Sequence, residues 1–217
     1  MGSDDAVDFY KRRALDWVEE RGGHKVFIEK AWLDRFCALV RPGGLILDLG
    51  CGPGKPMAAY LLSQGFDVYG VDSSPAMISL ARANFPDRQW IVGDMRQLAL
   101  GRRFDGILAW DSFFHLDFGD QRAMFPIFRM HAAAGAPLMF TSGPRHGEAI
   151  GSLYGEPLYH ASLAPEEYRA LLSANGFTDI AERMEDPECG GHSVWLARCG
   201  QGRYERACER LNRGRAE

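Results

Sequence analysis

The chain has 217 residues, 46% of them hydrophobic and 25% charged, enough for one sizeable domain with its own core. A formal net charge of −4 excludes a broad electrostatic footprint for nucleic acid but not a local basic patch. No apolar run approaches the roughly 20 residues of a membrane helix, and no signal peptide precedes the first helix. The cytoplasm is therefore the expected compartment.

Two amphipathic helices open the chain. Asp4 to Arg21 places Val7, Tyr10, Ala14, Leu15, Trp17 and Val18 at helical spacing, and Gly22-Gly23 breaks it. His24 to Val40 follows, with Phe27, Ile28, Ala31, Trp32, Phe36 and Leu39 as its apolar stripe. This pair, residues 1–40, is expected to cap one end of a sheet. From Leu45 strands and helices alternate. The expected strands are Leu45–Leu49, Asp67–Val71, Gln89–Val92, Asp105–Ala109 and Pro137–Thr141. The expected helices are Lys55–Ser63, Ser74–Asn84 (a serine cap with proline in the first turn), Gly119–Ala133 and Pro165–Asn175. Ser142–Leu163 reads as a long irregular stretch. Phe177–Glu182 and His192–Arg198 lie too close together for a helical crossover and should pair antiparallel. Residues 41–199 thus predict an α/β domain: a doubly wound, Rossmann-like sheet of seven strands with helices on both faces. Residues 200–217 form a charged tail.

The cysteines, Cys37, Cys51, Cys189, Cys199 and Cys208, are odd in number and contain no CxxC pair, so reduced thiols are expected. The six histidines show no metal-ligand spacing, and no metal is expected.

The chemistry concentrates at strand ends. ILDLGCGPG, residues 46–54, runs a buried strand into a loop with almost no side-chain bulk, where a ligand can approach the backbone. Asp48 lies just before that loop, Asp72 ends the second strand and Asp94 ends the third. In a doubly wound sheet these ends share one crevice. An acidic residue about 20 positions past a glycine loop is the expected acceptor for a ribose diol; Asp72 is in that place. Incidental glycines and a solvated turn aspartate are the bland alternatives, and the three carboxylates together weigh against them.

GCGPG after a hydrophobic strand, then GVDSSPAMISLAR, GDM and FDGILAWDSFFHL, resemble a class I S-adenosylmethionine-dependent methyltransferase of small-molecule type over residues 40–198. The resemblance implies a seven-stranded sheet with an antiparallel last strand and S-adenosyl-L-methionine as cofactor, leaving S-adenosyl-L-homocysteine. It further implies that Gly50, Cys51, Gly52 and Gly54 pass under the methionine part, with Asp48 near its amino group. Asp72 and Ser73 would take the ribose, Met77 would pack near the adenosine, and Asp94 and Met95 would take the adenine. Ala109 and Trp110 would pass the cofactor at the fourth strand's end, and Tyr10 would touch it from an N-terminal helix. Core packing is an equal reading of Met77 and Tyr10. A dinucleotide-binding domain shares the glycine loop, but the spacing here is GxGxG and no second nucleotide half follows.

The acceptor side offers His115, whose ordinary pKa suits proton removal near neutrality, and His160 as general-base candidates. Glu148 is a rival, and Tyr154 and Tyr159 are candidate pocket walls. A structural histidine is the bland reading of His115. No NPPY-type segment follows the fourth strand and no carboxylate set suits a catechol-type magnesium site. The expected reaction is methylation of oxygen or nitrogen on a small-molecule acceptor. The rivals are an RNA or protein methyltransferase, touching its partner through the tail arginines, and a protein that binds S-adenosylmethionine without turnover. The sequence sets no oligomeric state.

Overall fold

The computed structural model describes residues 2–22 and 27–200. Residues 24–26, where the second helix was expected to begin, the side chain of Trp17 and nearly all of the charged tail lie outside the described residues. Helix α1 (Ser3–Gly22) carries a kink at Arg13. It is followed by α2 (Lys30–Cys37), β1 (Leu45–Leu49), α3 (Met57–Ser63), β2 (Asp67–Asp72), α4 (Pro75–Asn84), β3 (Gln89–Val92) and β4 (Gly106–Ala109). Then come α5 (Phe118–His131), β5 (Pro137–Ser142), β6 (Gly147–Leu153), β7 (Glu156–Ser162), α6 (Pro165–Ala174), β8 (Phe177–Asp186) and β9 (His192–Cys199).

Seven strands form one sheet in the order β3-β2-β1-β4-β5-β9-β8. β1 to β5 pair in parallel, and β9 runs antiparallel to both β5 and β8. The expected mixed sheet is therefore present. Its strand order reverses between β1 and β4, and ligands of open α/β sheets bind at such a switch point. The tips of β1, β2 and β3 are adjacent, so Asp48, Asp72 and Asp94 stand side by side.

Side chains alternate faces along a strand, and β1 illustrates the result. Leu47 and Leu49 enter a core with Phe113, Phe125, Phe128, Phe140 and Trp195. Ile46 enters a second core on the other face with Trp32, Phe36, Leu61 and Ile78. Each fully buried large apolar side chain contributes about 1.5–3 kcal/mol, so both faces are closed to water. Asp48 shares the face of Ile46, buried at the strand's tip. Ser74 caps α4 by accepting the Met77 N–H at 3.4 Å, with Pro75 in the first turn, as its sequence predicts.

Three local expectations are corrected. Helix α2 packs on a sheet face through Trp32, Leu33 and Phe36 rather than capping the sheet's end. Residues 142–163 are not irregular: β6 and β7 form an antiparallel hairpin turned at Tyr154-Gly155, both with left-handed φ (55° and 74°). That is the geometry of a two-residue hairpin turn. A tyrosine in its first position hides the usual Asn-Gly signal, and the largely exposed β6 lacks apolar alternation. β8 runs past Glu182 to Asp186 because irregularities in its pairing absorb extra residues.

Candidate active site

A cavity of about 400 Å³ opens over the carboxyl ends of β1, β2 and β3. Its walls are the glycine loop, the strand tips, the turn after β4, the inner face of α1 and part of the β6–β7 hairpin.

The loop after β1 is held by its backbone. The Gly50 and Cys51 N–H groups donate to the Val71 carbonyl at 2.8 and 3.1 Å. Gly50 has φ +72°, and a Cβ there would come within 2.2 Å of the Ser112 Cβ. Only glycine meets both demands. Ser112 in turn donates to the Leu49 carbonyl at 2.7 Å, tying the turn after β4 to the loop. Asp72 joins loop and second strand: its carboxylate accepts from the N–H of Gly52 at 2.9 Å and of Ser74 at 2.8 Å. Burial raises the Asp72 pKa against the pull of those two donors.

Asp48 is only 2% exposed, and among the described residues its Oδ2 has no hydrogen-bond partner. Burial, helped by the nearby Asp72, raises its pKa to about 7. A buried carboxylate oxygen is costly unless paired. This one lines a cavity beside a glycine loop, an arrangement suited to a ligand's ammonium group.

Ser73, Met77, Asp94 and Met95 line the same cavity. Burial raises the Asp94 pKa, but the Arg96 side chain and backbone N–H overcome that effect and hold it below the ordinary value. Arg96 grips both Asp94 oxygens and also reaches Asp120 at 3.0 Å and Asp4 of α1 at 2.8 Å. An adenine contact at Asp94 would thus share its oxygens with Arg96. Cys51 lines the cavity as a buried thiol whose pKa burial pushes well up. Trp110 lines it with a buried indole Nε1 that meets no partner among the described residues. Gly54 and Ala109 do not line it: Gly54 packs toward the rings of Phe85 and Trp90, and Ala109 is fully buried in β4.

The geometry around His115 favours the structural reading over the general-base one. Its Nδ1 stands 2.9 Å from the Tyr159 carbonyl, which can only accept, so Nδ1 carries the proton. Nε2 then accepts from the Tyr10 hydroxyl at 3.0 Å. Burial lowers its pKa to about 4. His115 is a neutral clasp joining α1, the turn after β4 and β7, with no nitrogen left for an acceptor. His160 lines the wall beside it, 4.8 Å away between ring centres. Burial lowers its pKa below the ordinary value, which favours the neutral imidazole. Glu148 accepts from the Tyr159 hydroxyl at 2.7 Å and lines an adjoining recess instead.

Sequence reasoning missed Asp111 and His192, which face the cavity as an ion pair, His192 Nε2 to Asp111 Oδ1 at 3.0 Å. Its hydrogen bond to Asp111 raises the His192 pKa to about 9, so the imidazole is cationic at neutral pH. The position of Asp111 beside Trp110 was a usable signal. His192 offered none, because only the placement of β9 beside β5 brings it in. Gly151, Ser152, Leu153 and Leu158 of the hairpin were missed for the reason given above.

Residues 46–135 match the family model for a methyltransferase domain. Over 67 residues the chain is 43% identical to trans-aconitate 2-methyltransferase of Escherichia coli, covering 30% of this chain and 26% of that one. The chain thus spans about a quarter of the length of the curated relatives it matches. Among solved structures, magnesium protoporphyrin IX methyltransferase from Synechocystis PCC 6803, with bound S-adenosylmethionine, superposes with TM-score 0.67 at 21% identity. It covers 90% of this chain and 96% of that one. A sugar N-methyltransferase from Streptoalloteichus sp. ATCC 53650 superposes with TM-score 0.69 at 19% identity, covering 86% and 93%. The fold is that of S-adenosylmethionine-dependent methyltransferases.

Proposed function

We propose that the protein is an S-adenosylmethionine-dependent methyltransferase acting on a small-molecule acceptor at oxygen or nitrogen. The Asp48 Oδ2, buried beside the glycine loop with no partner among the described residues, carries this reading, because a cofactor bearing an ammonium group satisfies it. Bound S-adenosylmethionine supplies a sulfonium-activated methyl group. Asp48 holds the ammonium, and Gly50, Cys51 and Gly52 let the amino-acid chain lie against backbone. Asp72 keeps lone pairs for the ribose hydroxyls, with Ser73 and Met77 alongside. Asp94 and Met95 take the adenine edge, and Trp110 flanks the amino-acid half. Tyr10, clasped to His115, holds α1 along the cavity wall, so that acceptor and donor share one volume. His160 and Phe114 line the acceptor wall. Gly54 and Ala109 support the loop and strand from behind.

The net charge of −4 and a cavity of about 400 Å³ favour a small acceptor over a nucleic acid. Among the described residues no helix is long and apolar enough to cross a membrane. Calorimetric titration with S-adenosylhomocysteine, with NAD as the control, tests the cofactor. Stoichiometric binding of the first alone is expected. Binding of NAD instead would favour the dinucleotide reading, and binding of neither at millimolar concentration would overturn the proposal. Transfer of radiolabelled methyl to a panel of small amines, alcohols and carboxylates separates turnover from binding alone.

A further inference from the structure

The Asp111–His192 pair has no part in holding the cofactor as assigned above. It is nonetheless built with care. Asp111 sits at φ +47°, a left-handed conformation uncommon for a residue with a side chain, which persists only when its surroundings impose it. Thr141, at the end of β5, imposes it: its Oγ1 accepts the Asp111 N–H at 2.9 Å. The Thr141 hydroxyl also approaches Asp111 Oδ1 at 3.4 Å. His192, from the start of β9, donates its Nδ1–H to the Cys189 carbonyl at 2.6 Å and presents Nε2–H to the carboxylate. Three adjacent strands, β4, β5 and β9, thus fix one carboxylate. Its chain neighbour Ser112 is the residue a Cβ at Gly50 would strike, so Asp111 stands next to the loop assigned to the cofactor's amino-acid half. Asp111 and His192 are each about one quarter exposed, into the cavity.

We propose that Asp111 is a catalytic residue that receives the acceptor's hydrogen during methyl transfer, with His192 and Thr141 as positioning residues. The inference rests on the methyltransferase reading above. The acceptor's lone pair forms the new bond to the methyl carbon. The carbon–sulfur bond breaks with its electron pair returning to sulfur, and the proton on the acceptor atom passes to the Asp111 carboxylate. Positive charge leaves sulfur and develops on the acceptor atom, where a pre-oriented carboxylate stabilises it without reorganisation. His192, 3.0 Å from its Oδ1, keeps the Asp111 carboxylate aimed until the transfer. This assigns the acceptor class: a neutral group with a hydrogen to lose, a hydroxyl or an amine, and not a carboxylate.

Sinefungin tests this without knowledge of the acceptor, because it carries an ammonium group where the cofactor carries its sulfonium methyl. Affinities of sinefungin and S-adenosylhomocysteine are measured by calorimetry for the wild type, Asp111→Asn and His192→Gln. Asparagine tolerates the left-handed backbone, and Gln keeps a neutral donor, so both variants should fold. We expect Asp111→Asn to lower the ratio of sinefungin to S-adenosylhomocysteine affinity about tenfold (~1.4 kcal/mol) with S-adenosylhomocysteine affinity unchanged. His192→Gln should raise the ratio, because the carboxylate loses its competing cation. A purely structural pair would shift both ligands together, and an unchanged ratio in both variants overturns the inference. Failure of the wild type to bind either ligand instead overturns the methyltransferase reading itself.

Discussion

Replacing Asp48 by Asn should move stability and cofactor binding in opposite directions. Folding raises the Asp48 pKa from 3.8 to about 7 through burial and the nearby Asp72. A folded-state pKa above the unfolded one means that the group's contribution is fully present below pH 3.8 and is lost as the pH rises through about 7. At 1.36 kcal/mol per pH unit, that loss reaches about 4 kcal/mol at pH 8.5 but only about 2 kcal/mol at pH 5.5. Asn carries no charge, but leaves an unpaired buried amide costing about 2 kcal/mol. Asp48→Asn should therefore stabilise the free protein by about 2 kcal/mol at pH 8.5, roughly 4–8 °C in Tm, and leave it almost unchanged at pH 5.5. The same substitution removes the charged partner of the ligand's ammonium group. It should weaken S-adenosylhomocysteine binding roughly ten- to hundredfold, the worth of a hydrogen bond between charged groups. Urea unfolding at the two pH values and calorimetry provide the readouts. Equal stability changes at both pH values, or undiminished ligand affinity, would refute this account of Asp48.

Gly50→Ala forces a side chain into a left-handed backbone and a Cβ to within 2.2 Å of Ser112. It should cost at least about 2 kcal/mol and abolish cofactor binding, read by denaturant unfolding and calorimetry. Tyr10→Phe strips the donor from His115 Nε2. A loss of about 1 kcal/mol and faster hydrogen exchange along α1 are expected; unchanged exchange would count against the clasp. Glu156 receives Arg12 and Arg13 from α1. Glu156→Gln should speed cofactor release in stopped-flow fluorescence, as should raising salt in the wild type, since screening weakens exposed pairs.

Much of the fold was legible because it rests on local chemistry. The run Ile46 to Leu49 reads as a strand buried on both faces, and Ser74-Pro75 reads as a helix start, from neighbouring residues alone. The hairpin of β6 and β7 was not legible, because Tyr154 takes a conformation its side chain does not advertise. From type and place His115 read either as a base or as a structural histidine. Two partners from α1 and β7, invisible in sequence, make it a clasp. Gly54 and Ala109 belong to the glycine loop and the fourth strand as expected, but their burial turns them away from the cavity.

The sequence by itself determined the alternation of strands and helices from Leu45 to Thr141, and that three carboxylates stand at the ends of three neighbouring strands. Those features depend on side-chain period, on glycine's backbone freedom and on capping, all of which act within a few residues. Only the tertiary structure decided that Asp48 is buried with no partner among the described residues, that Arg96 occupies Asp94, and that Asp111 meets His192. Burial and charge pairing are properties of what surrounds a group, and that is fixed only when distant strands are brought side by side.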